Sequence, residues 1–80
     1  MRSMIVVKLN TVEKVKRFVN IVSKFNHPIE AWEIDGHKVY CASSIISVFN
    51  LDFNKDIGVK INTTDEQTAK EFYSELEQLV

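Results

Sequence analysis

"IVVKLNTVEKVKRFVNIVSKFN", residues 5–26, changes its hydrophobic period part-way, and that change decides the fold class. Ile5, Val7 and Leu9 alternate with Val6 and Lys8, the period-2 pattern of a strand with one buried face and a partly covered second face. From Val12 the period becomes helical, with Val12, Val15, Phe18, Val19, Val22 and Phe25 on one stripe and Lys14, Lys16, Arg17 and Asn20 mostly off it. The helix is predicted to start at Asn10 or Thr11. Asn10 and Glu13 have the spacing of a capping box, in which the Asn side chain bonds the third helical N–H and the Glu reaches back. Asn26, His27 and Pro28 stop the helix, because the residue before proline is pushed out of the α region.

Outward from that stretch, "IEAWEIDGHKVYC" (29–41) predicts a hairpin: two β-rich runs flank Asp35-Gly36, which tolerate the positive φ of a two-residue type I′ turn. "ASSIISVFNLDF" (42–53) predicts a short helix opening at Ser43 or Ser44, with Ile45, Val48 and Phe49 on its stripe and Ile46 off it. In "DIGVKIN" (56–62), Ile57, Val59 and Ile61 alternate with Gly58 and Lys60, a strand with one wet face. The last helix follows a Thr64/Gln67 capping box, carries Asp65 and Glu66 in its first turn, and shows Ala69, Phe72, Tyr73, Leu76 and Val80 on one face. The order βαββαβα runs through one domain, 1–80, without linker, repeat or low-complexity segment. An α+β fold is expected, a four-stranded antiparallel sheet with its helices on one face.

With 80 residues, the chain is expected to bury about 60% of its unfolded surface, which commits most apolar side chains to the core and leaves little room for a deep catalytic cavity. A formal net charge of −1 and a pI near 6.1 argue against nucleic acid, whose binding needs a basic surface. The balance is uneven along the chain: Lys8, Lys14, Lys16, Arg17 and Lys24 outweigh Glu13 early on, whereas Asp65, Glu66, Glu71, Glu75 and Glu77 outweigh Lys70 at the end. Cys41, the sole cysteine, has no internal disulfide partner, and no Cys/His cluster has zinc spacing. No metal and no cofactor are implied, and a reducing cytoplasm fits best. "MRSMIVVKLN" is too short in its apolar run for a signal core or a membrane span.

"VSKFN" closing the first helix, "IDGHKVY" in the hairpin and "SSIISVFNLDF" after it resemble the corresponding segments of the histidine-containing phosphocarrier protein (HPr) of the bacterial sugar phosphotransferase system. The resemblance runs over nearly the whole chain. It implies an open-faced β-sandwich, with three helices on one side of a four-stranded antiparallel sheet. It also implies a phosphoryl-accepting histidine at the cap of the first helix, followed by an arginine and a proline. Counted back from "VSKFN", Thr11 stands in the histidine's place, and Glu13 and Lys14 stand in those of the arginine and proline. A carboxylate there repels a phosphoryl group, and a threonine hydroxyl with no base beside it is a poor nucleophile. No histidine precedes His27, which lies about 24 Å along the helix from that position at a rise of 1.5 Å per residue.

The resemblance implies two further sites. Ser44, with Ser43 as its neighbour, matches the serine that a regulatory kinase phosphorylates in some members, and Ile45, Ile46 and Phe49 match the apolar knob that docks protein partners. The expected function is therefore a non-enzymatic, HPr-like module that binds a protein such as enzyme I, a regulatory kinase or a transcriptional regulator. A phosphocarrier or regulatory phosphoprotein using Ser44, or else His27 or His37, is the alternative, and an unrelated α+β interaction domain is a third reading. Each candidate residue also has a plainer role. Asn10, Thr11 and Glu13 suit an ordinary cap, or a weak anion site formed by Asn10 and Thr11 with Lys8, Lys14 or Arg17. Ser44 suits an N-cap, His27 a helix-ending turn, His37 an exposed hairpin position, Trp32 and Tyr40 packing on the sheet, and Cys41 an inert thiol.

Overall fold

In a computed structural model of the protein, residues 3–36, 39–41 and 52–80 are described. The fold is α+β with an antiparallel sheet, as the change of period predicts. The described elements are β1 (Ile5–Lys8), α1 (Val12–Ser23), β2 (Ile29–Glu33), β3 (Val39–Cys41), β4 (Asp56–Ile61), α2 (Glu66–Leu76) and a closing 3₁₀ turn (Glu77–Leu79). Across the sheet the order is β1-β4-β2-β3, with every neighbouring pair antiparallel. Strands β1, β4 and β2 make its body, and the three-residue β3 adds at the outer edge of β2. The short helix expected from Ser43 or Ser44 lies outside the described residues.

Register explains which side chains go inward. Val59 stands opposite both Ile5 and Ala31, Ile57 opposite Val7 and Glu33, and Ile61 opposite Ile29. Because strand side chains alternate, all the apolar members of these pairs fall on one face, and all of them are buried. Phe18, Ile21 and Val22 of α1 and Ala69, Phe72, Tyr73 and Leu76 of α2 close over that face in the same cluster. The helices run antiparallel: Phe25 meets Phe72 edge-on at 5.2 Å between ring centroids, Lys24 Nζ bonds Glu75 Oε1 at 2.5 Å, and Arg17 lies beside Gln78. Tyr73 anchors α2 to the sheet, its buried hydroxyl accepting the Ile61 N–H at 3.3 Å.

Several local expectations are corrected. The cap of α1 is Thr11, not Asn10: its backbone is extended, and its Oγ1 accepts the Lys14 N–H at 3.2 Å. With the cap one residue later, Glu13 moves to the second helical position and Lys14 takes the third, so the bond is a single cap and not a reciprocal box. Likewise Asp65, not Thr64, caps α2, where a carboxylate adds favourable charge at the helix start. The type I′ turn is absent: neither Gly36 nor any described non-glycine residue has positive φ, and the Gly36 N–H closes the turn on Glu33 O at 2.9 Å. The strand register is still the one a connection centred on Asp35-Gly36 would give, since Trp32 pairs with Val39 and Glu30 with Cys41. On α1, Val12 is 71% exposed while Ile21, absent from the predicted stripe, is buried. At the C-terminus Leu79 is buried and Val80 exposed, because the 3₁₀ turn has three residues per revolution and stacks Leu79 beneath Leu76.

The other sheet face carries Trp32, which overlies Gly58. A Cβ built on Gly58 would stand 2.5 Å from Trp32 Cε2 and 2.7 Å from Cζ2 and Nε1. Glycine is therefore what lets the indole lie across the central strand. Gly58→Ala is expected to cost about 1–3 kcal/mol in urea denaturation, the usual range for overpacking. Most of that loss should vanish in a Trp32→Ala background. Fully additive losses in the double mutant would contradict this packing.

Candidate functional site

The turn from β1 into α1 is the place to which the sequence resemblance assigns the family's phosphoryl-accepting histidine, with Thr11 standing there in this chain. Leu9 is buried at the end of the strand and fixes the direction of the chain, while Asn10 and Thr11 are exposed. Thr11 serves the helix twice: its carbonyl accepts the Val15 N–H at 3.1 Å, and its hydroxyl accepts that of Lys14. The N–H groups of Val12 and Glu13 are left without an intrahelical partner. Facing them is the turn before β4, where Asn54 N–H bonds Asp52 Oδ1 at 3.0 Å and Asp52 N–H bonds Glu33 Oε2 at 2.9 Å. Between the two turns lies a groove of about 340 Å³, lined by Leu9, Asn10, Thr11, Val12, Val15, Phe53 and Asn54. Its walls are mainly hydrocarbon.

Asn10 and Thr11 are thus brought together, and Arg17 is not. The arginine lies six residues further on, about 9 Å along the helix axis, and its Nη1 donates to Gln78 Oε1 at 3.0 Å. Lys24 pairs with Glu75, so part of the basic segment faces the acidic C-terminal helix. The arrangement can cap a helix and hold an apolar group; among the described residues no base stands beside the Thr11 hydroxyl and no guanidinium is aimed at the helix start.

His27 is half-buried at the far end of α1, beside a shallow hollow formed with Lys60, Asn62, Thr63 and Thr64. The backbone there is tied by Asn62 N–H to Pro28 O at 2.8 Å. The Asp65 carboxyl is held below its ordinary value of 3.8, chiefly by the Thr68 hydroxyl, then by the Gln67 N–H, with a smaller contribution from the nearby His27. Depression of a carboxyl pKa makes its stabilising contribution present above the unfolded value and lost as pH falls through the folded one. Among the described residues no group of His, Cys, Asp and Glu is placed to hold a metal ion. Nor is any helix among them long and apolar enough to cross a membrane.

His37, Ser43, Ser44, Ile45, Ile46 and Phe49 lie outside the described residues. Sequence reasoning passed over Phe53 and Asn54 as parts of the groove. They are far from Thr11 along the chain, and only the insertion of β4 beside β1 brings the two turns together. No protein-family model matches the chain, and no curated protein matches it.

If Thr11 is the cap, Thr11→Ala should cost about 1 kcal/mol of stability in chemical denaturation. Asn10→Ala should cost only a small fraction of that. The reverse ranking would restore Asn10 as the cap.

Proposed function

We propose that this chain is an HPr-like protein of the open-faced β-sandwich type that acts by binding a protein partner and does not carry phosphate on the first helix. The reading rests on the resemblance in "VSKFN", "IDGHKVY" and "SSIISVFNLDF", and the antiparallel sheet with helices packed on one face supports it. One observation carries the non-catalytic half of the proposal. At the position where the family has its histidine, Thr11 uses its hydroxyl to bond the Lys14 N–H. The residue is a structural cap, with Glu13 in the turn beyond it.

Docking is assigned to Ile45, Ile46 and Phe49, with enzyme I, a regulatory kinase or a transcriptional regulator as the class of partner. Apolar residues suit this role because a few desolvated anchors dominate the energy of most interfaces. A cytoplasmic setting follows from the same reading. Ser44 remains the residue at which a kinase would act; if it opens a helix, as the sequence pattern predicts, a phosphate there would be electrostatically favoured.

Incubation with enzyme I and phosphoenolpyruvate, followed by mass spectrometry at neutral and acid pH, tests the proposal. No acid-labile phosphate is expected on the chain, and Ile46→Glu should weaken binding to a phosphotransferase partner at least tenfold. Stoichiometric acid-labile labelling would overturn the non-catalytic reading. Partner binding indifferent to Ile46→Glu would overturn the docking assignment.

A further inference from the structure

Asp35 is the only aspartate of the chain that is followed by glycine: Asp52, Asp56 and Asp65 precede Phe53, Ile57 and Glu66, and no asparagine precedes a glycine. Asp35 and Gly36 are both exposed, in the turn that follows β2. Exposed turns are among the parts of a fold that open at low free energy. Gly36 carries no Cβ, so its nitrogen is the least hindered amide nucleophile that a chain can place after an aspartate. In the closed turn that nitrogen is engaged, its N–H donating to Glu33 O at 2.9 Å.

We infer that Asp35 is a site of spontaneous isomerisation to isoaspartate, and that the hydrogen bond from Gly36 to Glu33 is the gate that slows it. Once the turn opens, the Gly36 nitrogen attacks Asp35 Cγ. An N–Cγ bond forms, the carboxyl hydroxyl and the amide hydrogen leave as water, and a succinimide ring closes. Water then opens the ring at either carbonyl. Cleavage of the N–Cγ bond restores aspartate, whereas cleavage of the original peptide bond leaves isoaspartate. Nothing is oxidised or reduced, and water is the only co-reactant. In isoaspartate the main chain runs through Cβ and Cγ and is one methylene longer, with the former α-carbonyl now a free carboxylate. That added length falls in the connection that sets Trp32 opposite Val39 and Glu30 opposite Cys41. Conversion therefore loosens β3, while β4 keeps its pairing with β1 and β2.

The full chain should be incubated at neutral pH, folded and in concentrated urea. Isoaspartate is counted by enzymatic methylation of its free carboxylate and placed by peptide mapping. It is expected to accumulate at residue 35 of the folded chain about fivefold more slowly than in urea, the factor set by one amide hydrogen bond of typical net strength. Asp35→Glu, at an exposed position and needing a larger ring to close, should abolish the label without disturbing the fold. Hydrogen exchange on the isolated isoaspartyl chain should show the β3 amides opening more readily than in the unaltered chain. No isoaspartate at residue 35 of the folded chain, by the time the urea-unfolded chain has converted, would overturn the site. So would label that persists in Asp35→Glu. Equal rates in the folded and unfolded chains would overturn the gate, and unchanged protection of β3 would overturn the consequence drawn for the hairpin.

Discussion

The domain depends on β4 lying between β1 and β2. Strand β1 opens the described elements, yet β4 supplies its pairing from near the other end of the chain, with Ile5 opposite Val59 and Val7 opposite Ile57. The β2–β3 hairpin is local, but β2 gains its second neighbour, and the shared core face, only when β4 inserts. Closing so long a loop costs chain entropy before any contact rewards it. Burial supplies the return. Ile57 and Val59 are fully buried and Ile61 nearly so, and each faces inward between side chains of the neighbouring strands and the two helices. The Tyr73 hydroxyl on the Ile61 N–H then ties α2 to the end of the same strand.

That central strand also creates the candidate site. Its approach turn, carrying Phe53 and Asn54, comes to rest against the start of α1, so the groove beside Thr11 is a consequence of sheet order and not of local sequence. In the resembled family this position carries chemistry. Here the threonine satisfies the third N–H of the helix, Glu13 adds negative charge in the first turn, and Arg17 is engaged by Gln78 at the opposite flank. A helix start with its cap filled and its arginine turned elsewhere retains the geometry of an anion site without its charge. What the described residues form there is a mainly apolar groove beside a filled helix cap.

The parts of the fold legible in the sequence are those set by period. The alternation in Ile5–Leu9 and Ile57–Ile61 leads to a buried face, and of the predicted helical stripes Phe18 and Val22 on α1 and Ala69, Phe72, Tyr73 and Leu76 on α2 are buried, whereas Val12 and Val80 at their ends are exposed. Details that depend on a single hydrogen bond were less legible. Whether Asn10 or Thr11 caps α1, and Thr64 or Asp65 caps α2, turns on which side chain reaches an N–H two or three residues on, and both members of each pair are good caps. Asp35-Gly36 tolerates positive φ but does not require it, so a right-handed turn serves the same register. The exposure of Val12 reflects its place in the first turn of α1, and Ile21 is buried because the core-facing arc of the helix is wider than a narrow stripe. The groove was hidden for a different reason: Phe53 and Thr11 share no local pattern, and only tertiary pairing makes them neighbours.

Native-state hydrogen exchange, read residue by residue, addresses the dependence on β4 most directly, because it ranks the free energies at which each element opens. If the sheet is organised around this strand, the hydrogen-bonded amides of Ile57–Ile61 exchange only at the free energy of global unfolding, with no element outlasting them. Exchange of the β4 amides through an opening of lower free energy than that of β1, β2 or α2 would contradict the account.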